Sequence, residues 1–512
     1  MVERRDVLKA ALGALAASIT PANAAEEASP APAANPAFSR EKDVLERARA
    51  LSKKPFSPPA NDLREPFSTL TYEQYVLDIK MKPGAAVWAS ENKGFTIEPL
   101  HRGWIFTAPV ELNVVEGGES KRIAYDQAQF DYGALKIAEK LPDMGFSGFR
   151  VLRAQNGGDG EMIAQFQGAS FFRARVSRDQ PLGVTARGLS LRTADSRGEE
   201  FPVFRAFWIE KPALGDNTVV IHALLDSPSV TGAYRFTLRP GEATIIDTEM
   251  TLFPRVDLDH FGIAGLAGAS LFTPLDRRRS DDIRPAAAEM NGLQMLTGKN
   301  EWVWRPLSNR NNLQLSSFVD ANPKGFGFLT RDRDISAYQD DVAHWEQRPS
   351  LWVEPLGEWG EGAVQLVEIP SESDFNQNII AYWRPKQPLA NGAEANFAYR
   401  QFWCWEPPAR PPLASVADAR GGRAGSPKLR RFLVVFSGDI LGDPARVATL
   451  KPALTTSPGS AKIIGLYANP PAKTCRVLFD VDPGGENFCE LRLVLQSGDD
   501  PISETWLYRW TS

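Results

Sequence analysis

The chain has 512 residues, of which 43% are hydrophobic and 24% are charged, a balance typical of a soluble globular protein with a large core. This length predicts two or three domains. The formal net charge of −5 excludes the strongly basic field with which proteins bind nucleic acids, so no nucleic-acid partner is expected.

The first predicted element is an export signal at residues 1–24. The pair RR precedes the short apolar stretch AALGALAASI, and the small residues ANA then provide a cleavage site. The arginine pair makes the segment similar to a twin-arginine signal. We therefore expect a protein of the bacterial periplasm without a membrane span, beginning with a disordered, Ala/Pro/Glu-rich leader at 25–38. An ordinary N-terminal helix is the alternative.

Helical periodicity is confined to the region after the leader, and strands dominate the rest of the chain. Charged, amphipathic patterns predict helices at 40–52 and within 126–140. Apolar, β-branched runs separated by Gly and Pro turns then predict many short strands, among them 219–225, 244–252, 363–369 and 396–403. The fold class is therefore predicted to be all-β, with a large antiparallel sandwich.

A shift in composition marks a boundary near the C-terminus. Residues 406–431 are rich in Pro, Gly and Arg, which predicts a linker or long loop. The strand-sized runs RFLVVFSG, AKIIGLYA, CRVLFDVD, ELRLVLQS and SETWLYRW follow. They predict an immunoglobulin-like sandwich at 432–512.

Cysteine and histidine offer few sites for metal or redox chemistry. The histidines are scattered and the three cysteines have no metal-ligand spacing, so no metal site is expected. A disulfide between Cys475 and Cys489 is left open, because the two residues fall on strands that are close in sequence.

Tryptophan is concentrated in one part of the chain. Eight of the thirteen tryptophans lie between 302 and 405, interleaved with carboxylates and arginines. This combination suits a sugar-binding cleft, because rings stack on sugar faces while polar groups bind hydroxyls. The alternative is that most of these rings belong to the sandwich core.

The stretch VEIPSESDFNQNIIAYWRP (367–385) predicts a strand, a polar turn and a second strand. Its polar residues form either a solvated connection or part of a site that moves a proton. The residues alone do not choose between these interpretations.

Long blocks of the chain resemble the periplasmic glucan biosynthesis proteins OpgG and OpgD. The resemblance rests on runs such as ARGLSLRTADSRGEEFPVFRAFWIEKP, LLDSPSVTGAYRF, KGFGFLTRDRDISAYQD and RPSLWVEPLGEWGEGAVQLVEIP. The twin-arginine-like signal is closer to OpgD.

This resemblance implies a mutarotase-like β-sandwich at 39–405, followed by the immunoglobulin-like domain. It implies glycoside hydrolase or transglycosylase activity on the β-1,2-linked backbone of the osmoregulated periplasmic glucan. It implies no metal or organic cofactor, and it is compatible with a homodimer.

Two catalytic positions depart from the family pattern. The general acid, an Asp in a stretch like NDNIVAYW, aligns with Gln377, and the base, an Asp in a stretch like RPELHDSNGL, aligns with Glu289. An amide has no acid form near neutral pH, whereas Glu289 retains a carboxyl group. Other matching cleft positions are Asp340 and Asp374 as candidate catalytic residues and Tyr338, Trp345, Arg348 and Trp352 as candidate sugar-binding residues.

Three hypotheses follow. The first is an active enzyme with a relocated acid, supplied by Asp374, Glu372 or Asp340. The second is a catalytically altered glucan-binding protein that guides or shapes the polymer. The third is a structural or partner-binding protein, which the cleft residues favour least.

Overall fold

The computed structural model describes residues 37–60, 62–91, 94–155, 158–176, 180–277, 281–426 and 428–512. The predicted export signal at 1–24 and most of the predicted leader at 25–38 lie outside these ranges. At the end of that leader, the Phe38 ring packs 6.3 Å from Trp208 and 5.2 Å from His222. Residue 38 is therefore part of the folded protein.

The N-terminal half of the chain contains fifteen strands within the described ranges. They are β1 (Lys80–Met81), β2 (Phe95–His101), β3 (Glu111–Glu116), β4 (Glu119–Arg122), β5 (Phe130–Asp131), β6 (Phe146–Gln155), β7 (Gly158–Gln167), β8 (Phe171–Ala174), β9 (Thr185–Arg187), β10 (Ser190–Leu191), β11 (Val203–Glu210), β12 (Val219–Asp226), β13 (Val230–Arg239), β14 (Thr244–Pro254) and β15 (Phe261–Gly268).

The C-terminal half continues in the same way. Its strands are β16 (Ser270–Phe272), β17 (Ala287–Ala288), β18 (Gly292–Leu296), β19 (Trp302–Pro306), β20 (Gln314–Ala321), β21 (Gly325–Leu329), β22 (Ser350–Pro355), β23 (Glu361–Glu368), β24 (Ile379–Pro385), β25 (Ala395–Cys404), β26 (Ser415–Arg423), β27 (Arg430–Ser437), β28 (Leu450–Ser457), β29 (Ser460–Asn469), β30 (Thr474–Asp482), β31 (Phe488–Ser497), β32 (Asp500–Pro501) and β33 (Thr505–Thr511). The predicted all-β class is confirmed, as are the four strands predicted near 219, 244, 363 and 396.

Helices are short and few in the described part of the chain. A π-helix at Arg40–Glu46 and an α-helix at Arg47–Ser52 confirm the helix predicted at 40–52. The remaining helical segments are Phe67–Thr69, Tyr72–Leu77, Ala89–Glu91, Gln127–Gln129, Ile335–Ala337, Trp345–Gln347, Asp439–Gly442, Pro444–Ala448 and Pro470–Ala472.

The helix predicted within 126–140 is wrong. Only a 3₁₀ turn at Gln127–Gln129 forms there, and β5 follows it directly. Gly133 then adopts a φ of 52°, in the left-handed region that ends regular helix. The apolar residues Phe130 and Tyr132 alternate into the core as strand residues do, so the helical period was a coincidence of spacing.

The described residues divide into two compact units. The first comprises 1–179, 186–265 and 387–400, and the second comprises 180–185, 266–386 and 401–512. The sequence-based division into domains at 39–405 and 432–512 follows different boundaries and stays a prediction.

The first unit is a sandwich with an aromatic core. The antiparallel strands β2, β6, β7 and β8 form one sheet, and β4, β3, β11, β12, β13 and β14 form another, in which only the β3–β11 pair is parallel. The rings of Phe149 and Phe166 from the first sheet meet Phe207 and Phe236 from the second at 5.0–5.7 Å. Such contacts add edge-to-face attraction to the burial of apolar surface.

The second unit contains a sandwich formed by the last hundred residues. The sheet β26–β27–β30–β29 faces β28, β31 and β33 across one core. Every second residue points inward along β27, β30, β31 and β33, the period of two that a half-buried strand requires. This arrangement of two packed sheets is the one predicted from the strand-sized runs.

Residues 406–431 are more than the predicted linker or loop. Strand β26 occupies 415–423 and pairs with β27, from Ser415 opposite Ser437 to Arg423 opposite Arg430. Arg331 donates to the carbonyl of Val416 at 2.9 Å and to the buried carboxylate of Glu504 at 2.6 and 2.9 Å. Glu504 also accepts the Val416 amide at 2.6 Å, so this strand is fixed to the sandwich.

Cys404, Cys475 and Cys489 are free and buried. The disulfide left open between Cys475 and Cys489 is not formed. The Cys489 thiol instead donates to the carbonyl of Pro458 at 2.9 Å. Burial raises the pKa of Cys475 to about 11, so this thiol remains protonated at neutral pH.

None of the described helices combines the length and the apolar character that a transmembrane helix requires.

Candidate functional site

Three segments of the second unit carry most of the candidate residues. The first runs from β16 through β17 to β18 and carries Glu289. The second is the long loop (330–349) between β21 and β22, and the third is the polar loop (369–378) between β23 and β24. Strands β23 and β24 pair antiparallel from Gly362 opposite Pro385 to Glu368 opposite Ile379, which confirms the predicted strand, turn and strand.

The buried Asn378 holds the C-terminal end of the polar loop in place. Its side chain accepts the Ser270 amide at 2.9 Å and donates to the carbonyls of Ser270 and Ile369, each at 3.1 Å. An Asn side chain that satisfies three buried backbone groups fixes the loop against β16.

A second asparagine, Asn309, holds the start of the same loop. Asn309 accepts the Ser371 amide at 3.0 Å and donates to the Ser371 carbonyl at 2.7 Å. Hydrogen bonds from Asn309 and Asn378 therefore fix both ends of this loop, unlike a connection that contacts only solvent.

Arg284 joins all three segments. Its Nη1 donates to Oδ2 of Asp340 at 2.7 Å and to Oδ2 of Asp374 at 2.9 Å. Its Nη2 and Nε donate to the two carboxylate oxygens of Asp282 at 2.7 and 3.0 Å. These hydrogen bonds raise the pKa of Arg284, and the bonds to Asp282 have the largest effect. Arg284 is therefore cationic at any physiological pH.

Asp340 is held as an anion in the long loop. Its Oδ2 also accepts the Trp345 indole N–H at 2.9 Å, while its Oδ1 accepts the amides of Val342 and Ala343 at 3.1 and 2.9 Å. Burial by itself raises the pKa of Asp340, but the hydrogen bonds from Ala343, Arg284 and Trp345 outweigh it and lower the value to about 2.

Glu289 forms a buried ion pair with Arg348. Its Oε1 accepts from Arg348 Nη1 at 2.5 Å and its Oε2 accepts the Ala269 amide at 2.9 Å, with 7% of the side chain exposed. The Arg348 guanidinium lies 4.1 Å from the centre of the Trp345 ring, a cation–π contact. The carboxylate predicted as the base thus has both oxygens occupied.

Gln377 lies in the same polar loop as Asp374, and its side chain bonds to a residue outside this network. Its Nε2 donates to Oγ1 of Thr185 at 2.5 Å, and the side chain is half-buried. The position predicted to carry the acid therefore offers an amide whose remaining polar atom is a carbonyl oxygen acceptor.

The structure places the aromatic candidates mostly in the core. Tyr338, Trp345 and Trp352 have 0%, 3% and 0% of their surface exposed. Trp352 stacks on Trp302 with the ring centres 6.0 Å apart and donates its indole N–H to Glu354 at 3.1 Å. Tyr338 packs with Trp345 against Phe272. A sugar would reach these rings only after the packing contacts opened.

The tryptophan-rich region follows the same pattern. Seven of its eight tryptophans are buried, and Trp405 alone is exposed, at 40%. The clustering of tryptophan therefore marks the core of this unit rather than an aromatic sugar platform.

The network contains residues that sequence reasoning missed. Arg284, Asp282 and Thr185 were not singled out, although Arg284 begins the run RPAAAEMNGL that drew attention to Glu289. The partners of Arg284 lie 56 and 90 residues further along the chain, so spacing gave no signal.

The described residues contain no group of three or more His, Cys, Asp or Glu arranged to hold a metal ion. The carboxylates of this site are directed at arginines instead. These carboxylates can accept hydrogen bonds from the hydroxyl groups of a ligand.

Comparison with known proteins gives consistent matches. The family model described as "Periplasmic glucan biosynthesis protein, MdoG" matches residues 38–510. "Glucans biosynthesis protein G" of Vibrio cholerae serotype O1 is 42% identical over 473 residues, covering 91% of this chain and 86% of that protein. The protein of the same name from Shewanella sp. (strain W3-18-1) has the same identity and coverage. That of Bradyrhizobium diazoefficiens is 40% identical over 514 residues and covers 100% of both chains.

Proposed function

Because the chain belongs to the periplasmic glucan biosynthesis protein family, we propose that it binds a β-1,2-linked glucan backbone at the site around Gln377 without hydrolysing it. The linkage comes from the resemblance of the sequence to OpgG and OpgD. The proposed location is the periplasm, supported by the family's name and by the export signal predicted at 1–24.

Gln377 is the observation that carries this proposal. Cleavage of a glycosidic bond needs a proton delivered to the leaving oxygen, normally by a carboxylic acid. At position 377 the side chain is an amide that donates to Thr185 at 2.5 Å. An amide orients a hydroxyl or a glycosidic oxygen by hydrogen bonding, but it does not transfer a proton at neutral pH.

The contacts of the neighbouring carboxyl groups support a site without a general acid. The pKa of Asp340 is about 2, which leaves it ionised at neutral pH and unsuited to general acid catalysis. Asp374 accepts a charge-assisted hydrogen bond from Arg284 at 2.9 Å, and Glu289 accepts one from Arg348 at 2.5 Å.

The same arrangement suits the binding of a neutral polysaccharide. Ionised carboxylates accept hydrogen bonds from sugar hydroxyls, and the amide of Gln377 can accept one through its oxygen. The arginines balance the negative charge, so that an uncharged polymer is a better match than an anionic one. A protein of this kind would guide or shape the glucan for another enzyme.

Hydrolysis or transfer by a relocated acid is the second candidate, and Glu372 is the observation that favours it. This side chain is exposed, five residues before Gln377, and no ion pair is found for it among the described residues. An acid role would require a bound glucan to cover Glu372 and direct it at the leaving oxygen.

Equilibrium binding of linear β-1,2-glucan tests the proposal. Calorimetry should show binding by the purified protein, and Gln377→Ala should weaken it roughly 3- to 10-fold because one hydrogen bond is lost. The matched control is Gln387→Ala, at an exposed position just after β24, which should bind as the original protein does. Absence of binding by the original protein would contradict the proposal.

A further inference from the structure

A single guanidinium contacts both aspartates of the site. Arg284 Nη1 bonds the Oδ2 atoms of both Asp340 and Asp374, at 2.7 and 2.9 Å. Two oxygens that share one nitrogen at these distances lie within roughly 6 Å of each other, a separation at which two carboxylates disfavour each other's ionisation.

Among the described residues, no other side-chain hydrogen bond or ion pair joins the two loops that carry these aspartates. Asp340 lies in the long loop and Asp374 in the polar loop, and their side chains are 9% and 21% exposed. Little water therefore screens the repulsion between them, and the arginine must offset it.

We propose that Arg284 is a positioning residue that holds Asp340 and Asp374 together as a pair of ionised acceptors, so that the glucan meets acceptors instead of a proton donor. This inference rests on the proposed function for its biological meaning. The electrostatic role itself is testable without glucan.

Loss of Arg284 would convert the pair into a proton-binding site. Without the cation, the repulsion between the two carboxylates disfavours the state in which both are ionised. The pair should therefore take up a proton as the pH falls below neutral. One member would then be a carboxylic acid, in the same loop as Gln377 or hydrogen-bonded to Trp345.

Other charged groups lie on the same three segments. They include Arg277, Asp281, Asp282, Glu289, Arg331, Asp332, Arg333, Asp334, Asp341, His344, Glu346, Arg348 and Glu372. Glu289 and Arg348 balance each other at 2.5 Å, which leaves Arg284 and Asp282 as the groups that act most directly on the pair.

Thermal unfolding as a function of pH tests the inference. Arg284→Met should lower the melting temperature, and the loss at about pH 7.5 should be roughly twice that at about pH 5, because protonation relieves the repulsion. Proton uptake between these pH values should exceed that of the original protein by about one proton.

A second substitution separates electrostatics from packing. In Arg284→Met/Asp374→Asn the like charge is gone, so the extra pH dependence and the extra proton should both disappear. Asp282→Asn serves as the control, because it removes a carboxylate from Arg284 and leaves the bridge to Asp340 and Asp374 in place. If Arg284→Met does not fold, Arg284→Gln replaces it in both comparisons, because it also removes the cation and keeps a polar side chain.

The result that would overturn the inference is a loss of stability in Arg284→Met that is equal at both pH values or unaffected by Asp374→Asn. These measurements contain no glucan. A failure here therefore leaves glucan binding untouched, and a failure of glucan binding leaves the role of Arg284 standing.

Discussion

At position 377 an amide stands where the family pattern has a carboxylic acid. Gln377 reaches the hydroxyl of Thr185 at 2.5 Å, and that hydroxyl belongs to the same compact unit as the acidic network. A Glu side chain at 377, which has the same length, would have a hydrogen-bond partner available in Thr185. The resemblance to the family identified this position, and the structure adds its partner.

Gln377→Asp should create hydrolysis of linear β-1,2-glucan. The substitution restores the carboxyl group that glycoside cleavage needs, and release of reducing ends measures the activity. Gln377→Asn is the matched control, because the Asn side chain has the same length as Asp and no acid form near neutral pH. If both variants bind glucan and neither releases reducing ends, the absence of an acid at 377 is not what prevents cleavage.

Asp340 should confer a stability that depends on acid pH. Its pKa is lowered in the folded protein to about 2 from an ordinary value near 3.8, so the ionised form favours folding. The stabilisation is at most about 2 kcal/mol above pH ~4, and it is lost as the pH falls through the folded-state pKa.

Asp340→Asn should therefore be less stable than the original protein at neutral pH, and the two free energies of unfolding should converge as the pH falls from about 4 to about 2. Denaturant unfolding across this range measures the difference. Asp341→Asn, at the exposed neighbouring position, should show no comparable gap. A gap for Asp340→Asn that is independent of pH would point to lost packing instead of lost charge.

At the scale of elements, hydrophobic patterning predicted the strands well and loop structure poorly. The alternation in β27, β30 and β31 is visible in the sequence because each strand has one buried face. Strand β26 was missed, since ADARGGR has no apolar face and pairs with β27 at the edge of the sheet. Composition alone cannot distinguish such an edge strand from a linker.

Asn378→Ala should release the polar loop while leaving strands β23 and β24 paired. The substitution leaves the amide and carbonyl of Ser270 and the carbonyl of Ile369 without their partner, which costs about 1–3 kcal/mol for such buried groups. Hydrogen exchange should accelerate at residues 369–378 and stay slow in the strands. Asn376→Ala removes one half-buried bond to Ser371 and should have a smaller effect. Equal exchange in both variants would contradict the role of Asn378.

At the scale of the whole molecule, the fold class followed from composition and period, whereas the site required the resemblance and the structure. Glu289, Asp340, Asp374, Trp345 and Arg348 were chosen by alignment, and the structure links them through Arg284 and hydrogen bonds. A side-chain network across ninety residues of sequence leaves no periodic signal. The burial of Tyr338 and Trp352 could not be predicted from the sequence either, because aromatic residues occur both in cores and in sugar-binding sites.

Incubation of the purified protein with linear β-1,2-glucan, with the products analysed by mass spectrometry, tests the central claim most directly. The protein should bind the glucan and leave its mass distribution unchanged, because residue 377 is an amide and Asp340 is held as an anion. Shorter glucans, or cyclic products lighter by one water, would contradict this account and show that an acid other than residue 377 completes the site.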